Sequence, residues 1–135
     1  NKKKYSREHF LLLIFIYYYK NILSITDIGE LLGPIAERHF QPDSSPSLSK
    51  IYEEVFSMEL EQREHLKNDV MQKFESAKRT FSDLDETDSE KEYLQLFSFL
   101  SELAFDVYLK KQMIEKIIDE LRKEHTEVHG TKKKK

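Results

Sequence analysis

The chain passes abruptly from a polar, basic segment into a run with almost no polar position. Residues 2–4 are lysines, residues 5–9 read Tyr-Ser-Arg-Glu-His, and residues 10–19 read Phe-Leu-Leu-Leu-Ile-Phe-Ile-Tyr-Tyr-Tyr. Ser6 suits an N-cap, because its hydroxyl can accept from an orphan amide of the first turn. A helix is predicted from about Arg7 to about Asn21. Phe10, Leu13, Ile14 and Tyr17 share one face of it, and Leu11, Phe15, Tyr18 and Ile22 share another. A helix that is apolar on two sides is either central to a core or shared with a second subunit.

A second cap follows at Ser24, with Asp27 three residues on in a capping-box-like place. Ile25, Ile28, Leu31 and Leu32 are expected to face inward. Gly33-Pro34 is expected to stop this helix, since proline disfavours helical geometry in the residue before it. Residues 35–40 add at most a turn, and Gln41-Pro42-Asp43-Ser44-Ser45-Pro46 reads as a loop. A long helix is predicted from near Ser47 to about Phe81. It is apolar at Leu48, Ile51, Tyr52, Val55 and Phe56, and again at Leu66, Val70, Phe74 and Ala77. Residues 59–65 between these stretches are mostly polar and should face solvent. An acidic turn at residues 82–89 ends in Asp88 and Ser89, either of which can cap the last helix.

That last helix has the clearest period. Tyr93, Phe97, Leu100, Ala104, Val107, Lys111, Ile114, Ile118 and Leu121 alternate four and three, a heptad seam with one lysine inside it. Leu96, Leu103, Met113 and Ile117 widen the stripe. The fold expected is all-α: a short helical pair over residues 1–40, a long antiparallel helical hairpin over 47–125 that serves as a dimerisation or effector region, and a flexible basic tail over 126–135. A helix of about 35 residues spans roughly 50 Å, more than one small domain covers. A homodimer is therefore the expected partner state, packed through Phe15, Tyr18, Tyr93, Phe97, Leu100, Val107, Ile114, Ile118 and Leu121.

Composition narrows the class. Only three glycines and three prolines in 135 residues favour helices over sheets. The net charge of −3 gives no overall electrostatic case for nucleic acid, so any such contact must come from a local patch. The absence of cysteine excludes disulfides, zinc–thiolate sites and a cysteine nucleophile. The apolar run at residues 10–19 has ten residues, half of the roughly twenty that cross a bilayer. No membrane association and a cytoplasmic location are expected. Because the chain begins at Asn1 and not Met, further residues upstream are expected.

Candidate chemistry is sparse. His125 and His129 stand four apart, a spacing that places both imidazoles on one helix face, as in zinc sites. No third ligand is evident, and the His-Glu-x-x-His order is missing. The acids Asp83, Asp85, Glu86 and Asp88 lack the glycine and closing glutamate of a calcium loop. Glu61, Glu64 and His65 miss the Glu-x-x-His register of a di-iron bundle by one residue. His9, His39 and His65 stand alone, so capping or surface roles are the default. A pocket lined by Phe15, Tyr18 and Phe97 is a weaker alternative for sensing a small ligand. No nucleophile–base pair or phosphate loop occurs, so neither an enzyme nor a cofactor is expected.

The residues Lys4-Tyr5-Ser6-Arg7-Glu8-His9-Phe10, then Leu12-Leu13-Ile14, then Leu23-Ser24-Ile25-Thr26-Asp27-Ile28 with Leu31-Leu32, resemble MerR-type transcriptional regulators. They resemble still more a bacterial family, domain of unknown function 1836. The resemblance is carried by residues 2–32. It implies a wing strand ending in a tyrosine and a capping serine, followed by two helices. It also implies phosphate contacts by Lys2, Lys3, Lys4, Tyr5 and Arg7 through counterion release, without base reading. The helix-turn-helix that precedes such a wing does not appear in this chain, and neither does the cysteine or aromatic signature of metal- or drug-sensing members. The function expected is that of a DNA-binding regulator of MerR-like type, with DNA contacted through the full-length protein. The alternative is a helical protein-interaction or dimerisation module with no nucleic-acid role.

Overall fold

The computed structural model describes residues 5–134, with side chains described up to residue 127. Among these residues the fold is all-α, in the order α1 Arg7–Tyr19, α2 Ile25–His39, α3 Leu48–Lys78 and α4 Ser89–Lys134. The chain divides into two compact units. The first comprises Asn1–Phe56 and Lys111–Lys135, and the second comprises Ser57–Lys110.

In the first unit Phe15 is the centre of a cluster with Leu23, Ile28, Leu32 and Ile118, backed by Tyr19, Leu31, Ile51, Tyr52, Val55 and Phe56. Phe15 and Ile118 are only 3% and 2% exposed. Aromatic rings knit the cluster together. Phe15 lies tilted against Phe56 at 5.3 Å and edge-on to Tyr52 at 6.2 Å, and Tyr18 meets Phe56 edge-on at 5.5 Å. Such offset and edge arrangements add attraction beyond the area they bury. The apolar helix α1 thus shares a core with Ile118 of the predicted seam.

α1 buries its two predicted apolar faces unequally. On one, Phe15 is buried and Leu11 half-buried while Tyr18 and Ile22 are exposed; on the other, Phe10, Leu13, Ile14 and Tyr17 all stay exposed. One copy of this unit supplies too few elements to cover both sides of the helix.

α2 corrects the sequence reading at two points. It runs through Pro34 and ends at His39. Proline disfavours helix in its predecessor through a clash with that residue's Cβ, and here the predecessor is Gly33, which has none. The buried Ile28 and Leu32, one turn apart, hold the segment against the core. Second, Ile25 does not face inward but is 87% exposed. As the first helical residue it lies a turn beyond the buried stripe.

α3 begins after Ser47, whose hydroxyl accepts from the Lys50 amide at 3.1 Å. Leu48, just inside that cap, is fully buried. The helix ends at Lys78, earlier than the predicted Phe81. Phe81 instead takes φ 54°, the left-handed region that reverses the chain.

In the second unit the later part of α3 packs antiparallel to the first part of α4. Phe74 meets Phe99 edge-on at 5.4 Å, and Thr80 donates to Ser98 at 3.1 Å. Gln95 Nε2 donates to the carbonyls of Lys78 and Thr80 at 3.0 Å each, closing orphan acceptors where α3 ends. Two helices enclose little: Ala77 is the one buried hydrophobic residue among those described in this unit, beside the buried Lys91. Asp88 caps α4 by accepting from the Glu90 amide at 2.9 Å. The helical backbone then continues to Lys134, through the segment expected to be a tail. Apart from Gly130, that segment consists of residues a helix tolerates.

Candidate functional site

The first candidate surface is the N-terminal edge of α1. Ser6 has extended geometry, and its Oγ accepts from the His9 amide while His9 Nδ1 accepts from the Ser6 amide at 3.1 Å. This reciprocal capping box satisfies two backbone donors and fixes where the chain enters the helix. Histidine fills the position where glutamate or glutamine is usual, with Nδ1 as the acceptor. Tyr5 stands edge-on to His9 at 5.4 Å and to Phe10 at 6.3 Å, and His9 in turn meets Phe40 edge-on at 4.8 Å. Phe40, beyond the end of α2, is thus part of this edge. No sequence signal placed it there, because the contact depends on how α2 returns.

Tyr5 and Arg7, two of the predicted phosphate contacts, are both exposed. Glu8 beside them is buried. An acidic side chain in the first turn also suits the helix dipole. Lys2, Lys3 and Lys4 lie outside the described residues.

The second candidate surface is the heptad seam of α4. Its members separate by unit. Ile118 lies in the core of the first unit, Leu121 is half-buried there, and Ile114 is exposed. In the second unit Tyr93, Phe97, Leu100 and Val107 are all more than half exposed. The hairpin packs instead through Gln95, Ser98 and Phe99, on the other side of the helix. Within one copy, therefore, the second unit's seam residues do not serve as core. Polar Gln95 and Ser98 are drawn inward because they close the chain reversal by hydrogen bonds. Phe15, Tyr18 and Phe97, weighed as a pocket, are placed differently. Phe15 is buried, Tyr18 lines the aromatic cluster of the first unit, and Phe97 is exposed in the second.

A polar clasp joins α2 to α4 in the first unit. The Arg122 guanidinium donates to Asp27 at 2.6 Å and to Asp119 at 2.8 Å, with Glu30 at 4.0 Å. Asp27 first, and then Asp119, hold the guanidinium pKa above its ordinary value. His125 Nδ1 lies 2.8 Å from Glu30. Asp27 therefore does not complete a capping box: its amide donates to Ser24 Oγ, while its carboxylate turns to Arg122. His125 is engaged with Glu30, and the side chain of His129 lies outside the described residues. Among the described residues no group of three metal-ligating side chains occurs. Of the acids in the turn, Asp85 accepts from Thr87 and Glu86 pairs with Lys91 at 2.8 Å. Burial on the aromatic cluster raises the pKa of Tyr19.

No helix among the described residues is long and apolar enough to cross a membrane. Residues 1–55 match a family model described as a domain of unknown function, DUF1836. The matched segment covers α1, α2 and the start of α3, extending the resemblance seen over residues 2–32. No curated protein and no solved structure matches the chain.

Proposed function

We propose that this chain is the helical subunit-pairing region of a DNA-binding transcriptional regulator of MerR-like type, acting in the cytoplasm as a homodimer. The observation that carries the reading is the apolar seam of α4, which its own hairpin leaves uncovered at Tyr93, Phe97, Leu100 and Val107. A soluble helix keeps such a stripe when another chain covers it. The N-terminal edge supplies the nucleic-acid side of the reading. Arg7 projects from the first turn of α1, behind a cap that fixes its approach, and Lys2, Lys3 and Lys4 adjoin it in sequence. Cations in such a cluster gain affinity by releasing counterions from phosphate, which positions a protein on the duplex without reading bases. Base reading is assigned to another segment of the full-length regulator. The reading includes no catalytic step and no cofactor.

A gel-shift titration of the full-length protein against genomic fragments, at graded salt, tests it. Affinity should fall steeply with salt. Replacing Lys2, Lys3 and Lys4 by glutamine should reduce the log–log slope by about 0.9 for each phosphate contact removed. No shift at any salt concentration removes the DNA-binding role.

The second reading is a helical interaction module with no nucleic-acid role. The net charge of −3 favours it. Self-association with no DNA binding is the outcome that selects it.

A further inference from the structure

We propose that the hairpin of residues 57–110 pairs with a second copy of itself as an antiparallel four-helix bundle, with Phe97 of one α4 against Val107 of the other and Leu100 against Ala104. The inference rests on the pairing reading above and adds the surface, the direction and the register.

The surface comes from what the hairpin leaves open. Gln95, Ser98 and Phe99 reach α3, so the seam positions 97, 100, 104 and 107 project from the other side of the helix, with Tyr93 at the edge of that face, bordering a groove that Phe74 and Ala77 of α3 also line. Tyr93 is 62% exposed, Leu96 50%, Phe97 57%, Leu100 54% and Val107 65%, and Ala104 is exposed among them. No seam position from 93 to 107 carries a charge. Together these side chains present an apolar stripe on the order of several hundred Å², comparable with the largest patch a monomer shows and with the ~800 Å² each partner contributes to a standard interface. The hairpin needs such a cover, because its own two helices bury only Ala77 among the described apolar residues. Stacking two hairpins gives the layered core that one lacks.

Direction follows from size and charge. In a parallel pair each seam residue meets its own copy. Ala104 on Ala104 leaves a gap, and Phe97 on Phe97 overfills its layer. An antiparallel pair with its two-fold axis midway between residues 100 and 104 sets Leu100 on Ala104 and Phe97 on Val107, large on small in every inner layer. Charge points the same way. Asp83, Asp85, Glu86, Asp88, Glu90 and Glu92 crowd the turn end of the hairpin, with Lys91 the one cation among residues 82–92. A parallel pair brings two such ends together. The antiparallel register separates the two Glu90 positions by roughly 36 Å, several Debye lengths at physiological salt.

The chain has no cysteine, so introduced thiols are unique. The test uses the whole chain in two variants of different mass, Phe97→Cys and Val107→Cys, mixed and oxidised. The expected product is the disulfide between the two variants, with neither variant crosslinking to itself, since like positions lie roughly 15 Å apart along the axis. Leu100→Glu should weaken association at least tenfold by light scattering while helical content by circular dichroism is unchanged. Self-crosslinking of Phe97→Cys would overturn the antiparallel register and leave the pairing reading standing. A Leu100→Glu variant that still pairs with unchanged affinity would overturn the surface. A wild-type chain that is monomeric at tens of micromolar would overturn this inference and the pairing reading together, whereas loss of DNA binding alone would leave both intact.

Discussion

Arg122 on α4 donates to the carboxylate of Asp27 on α2 at 2.6 Å, across 95 positions of sequence. The same guanidinium also serves Asp119 and approaches Glu30, and Glu30 in turn accepts His125. A planar fork with several donors is what lets one side chain hold several carboxylates. Arg122→Lys should lower the thermal midpoint because an ammonium cannot reproduce that fork. Arg122→Ala should lower it further by leaving the half-buried Asp27 carboxylate without its partner on α4. A differential scanning series in 0.05–1 M salt checks this. High salt should shrink the wild-type advantage, since the arginine is partly exposed.

Ile118 and Ile117 are sequence neighbours with opposite surroundings, the first 2% and the second 57% exposed. Ile118→Ala removes a side chain packed in the cluster with Phe15 and should cost about 2–4 kcal/mol. Ile117→Ala should cost under about 1 kcal/mol. Chemical denaturation of the two variants separates them. Equal losses would contradict the placement of Ile118 in the core.

Lys73 donates to both carboxylate oxygens of Asp69, at 2.8 and 2.7 Å. This hydrogen bonding holds the Asp69 carboxyl below its ordinary pKa and raises that of Lys73. Asp85 is lowered in the same way, by the Thr87 amide and then its hydroxyl. The folded state prefers the charged carboxylates. Their contribution is therefore complete above the ordinary aspartate pKa of about 4 and is lost as pH falls through the depressed values. The Lys73 contribution has the opposite sign, being present below the ordinary lysine value and lost as pH rises through the elevated one. Asp69→Asn should lower the thermal midpoint at neutral pH and flatten its decline below about pH 4, as read in a midpoint-against-pH series.

Pro34 lies inside α2 and removes one intrahelical amide donor. Pro34→Ala restores that donor in a segment whose geometry is already helical. It should stabilise the chain by about 1–3 kcal/mol, measured by equilibrium unfolding. Destabilisation would mean that the proline ring's packing outweighs the lost hydrogen bond.

Local features were legible without coordinates. Ser6 and Ser24, read as caps, act as such, Asp88 is the one of the two candidates that caps α4, and Ser47, expected only to lie near the start of α3, caps that helix. Caps depend on neighbours three or fewer residues away, so sequence spacing exposes them. Residues 59–65 are almost wholly exposed, as their polarity suggested. Features that depend on two distant elements were not legible. Nothing in the spacing linked Arg122 to Asp27 or Phe40 to His9. The expected stop at Gly33-Pro34 does not occur, because Gly33 has no Cβ for the proline ring to clash with.

Sequence alone determined the all-helical class, the order of elements and the existence of an apolar stripe along α4, interrupted once at Lys111, because each follows from periodicity and from side chains within a turn of one another. Tertiary structure decided how that stripe is used. Ile118 enters a core with Phe15, while Tyr93, Phe97, Leu100 and Val107 remain exposed. Periodicity identifies a face that must be covered but carries no information about which element covers it. That depends on the path of the other helices, and here on Gln95 and Ser98 being pulled inward to close a chain reversal.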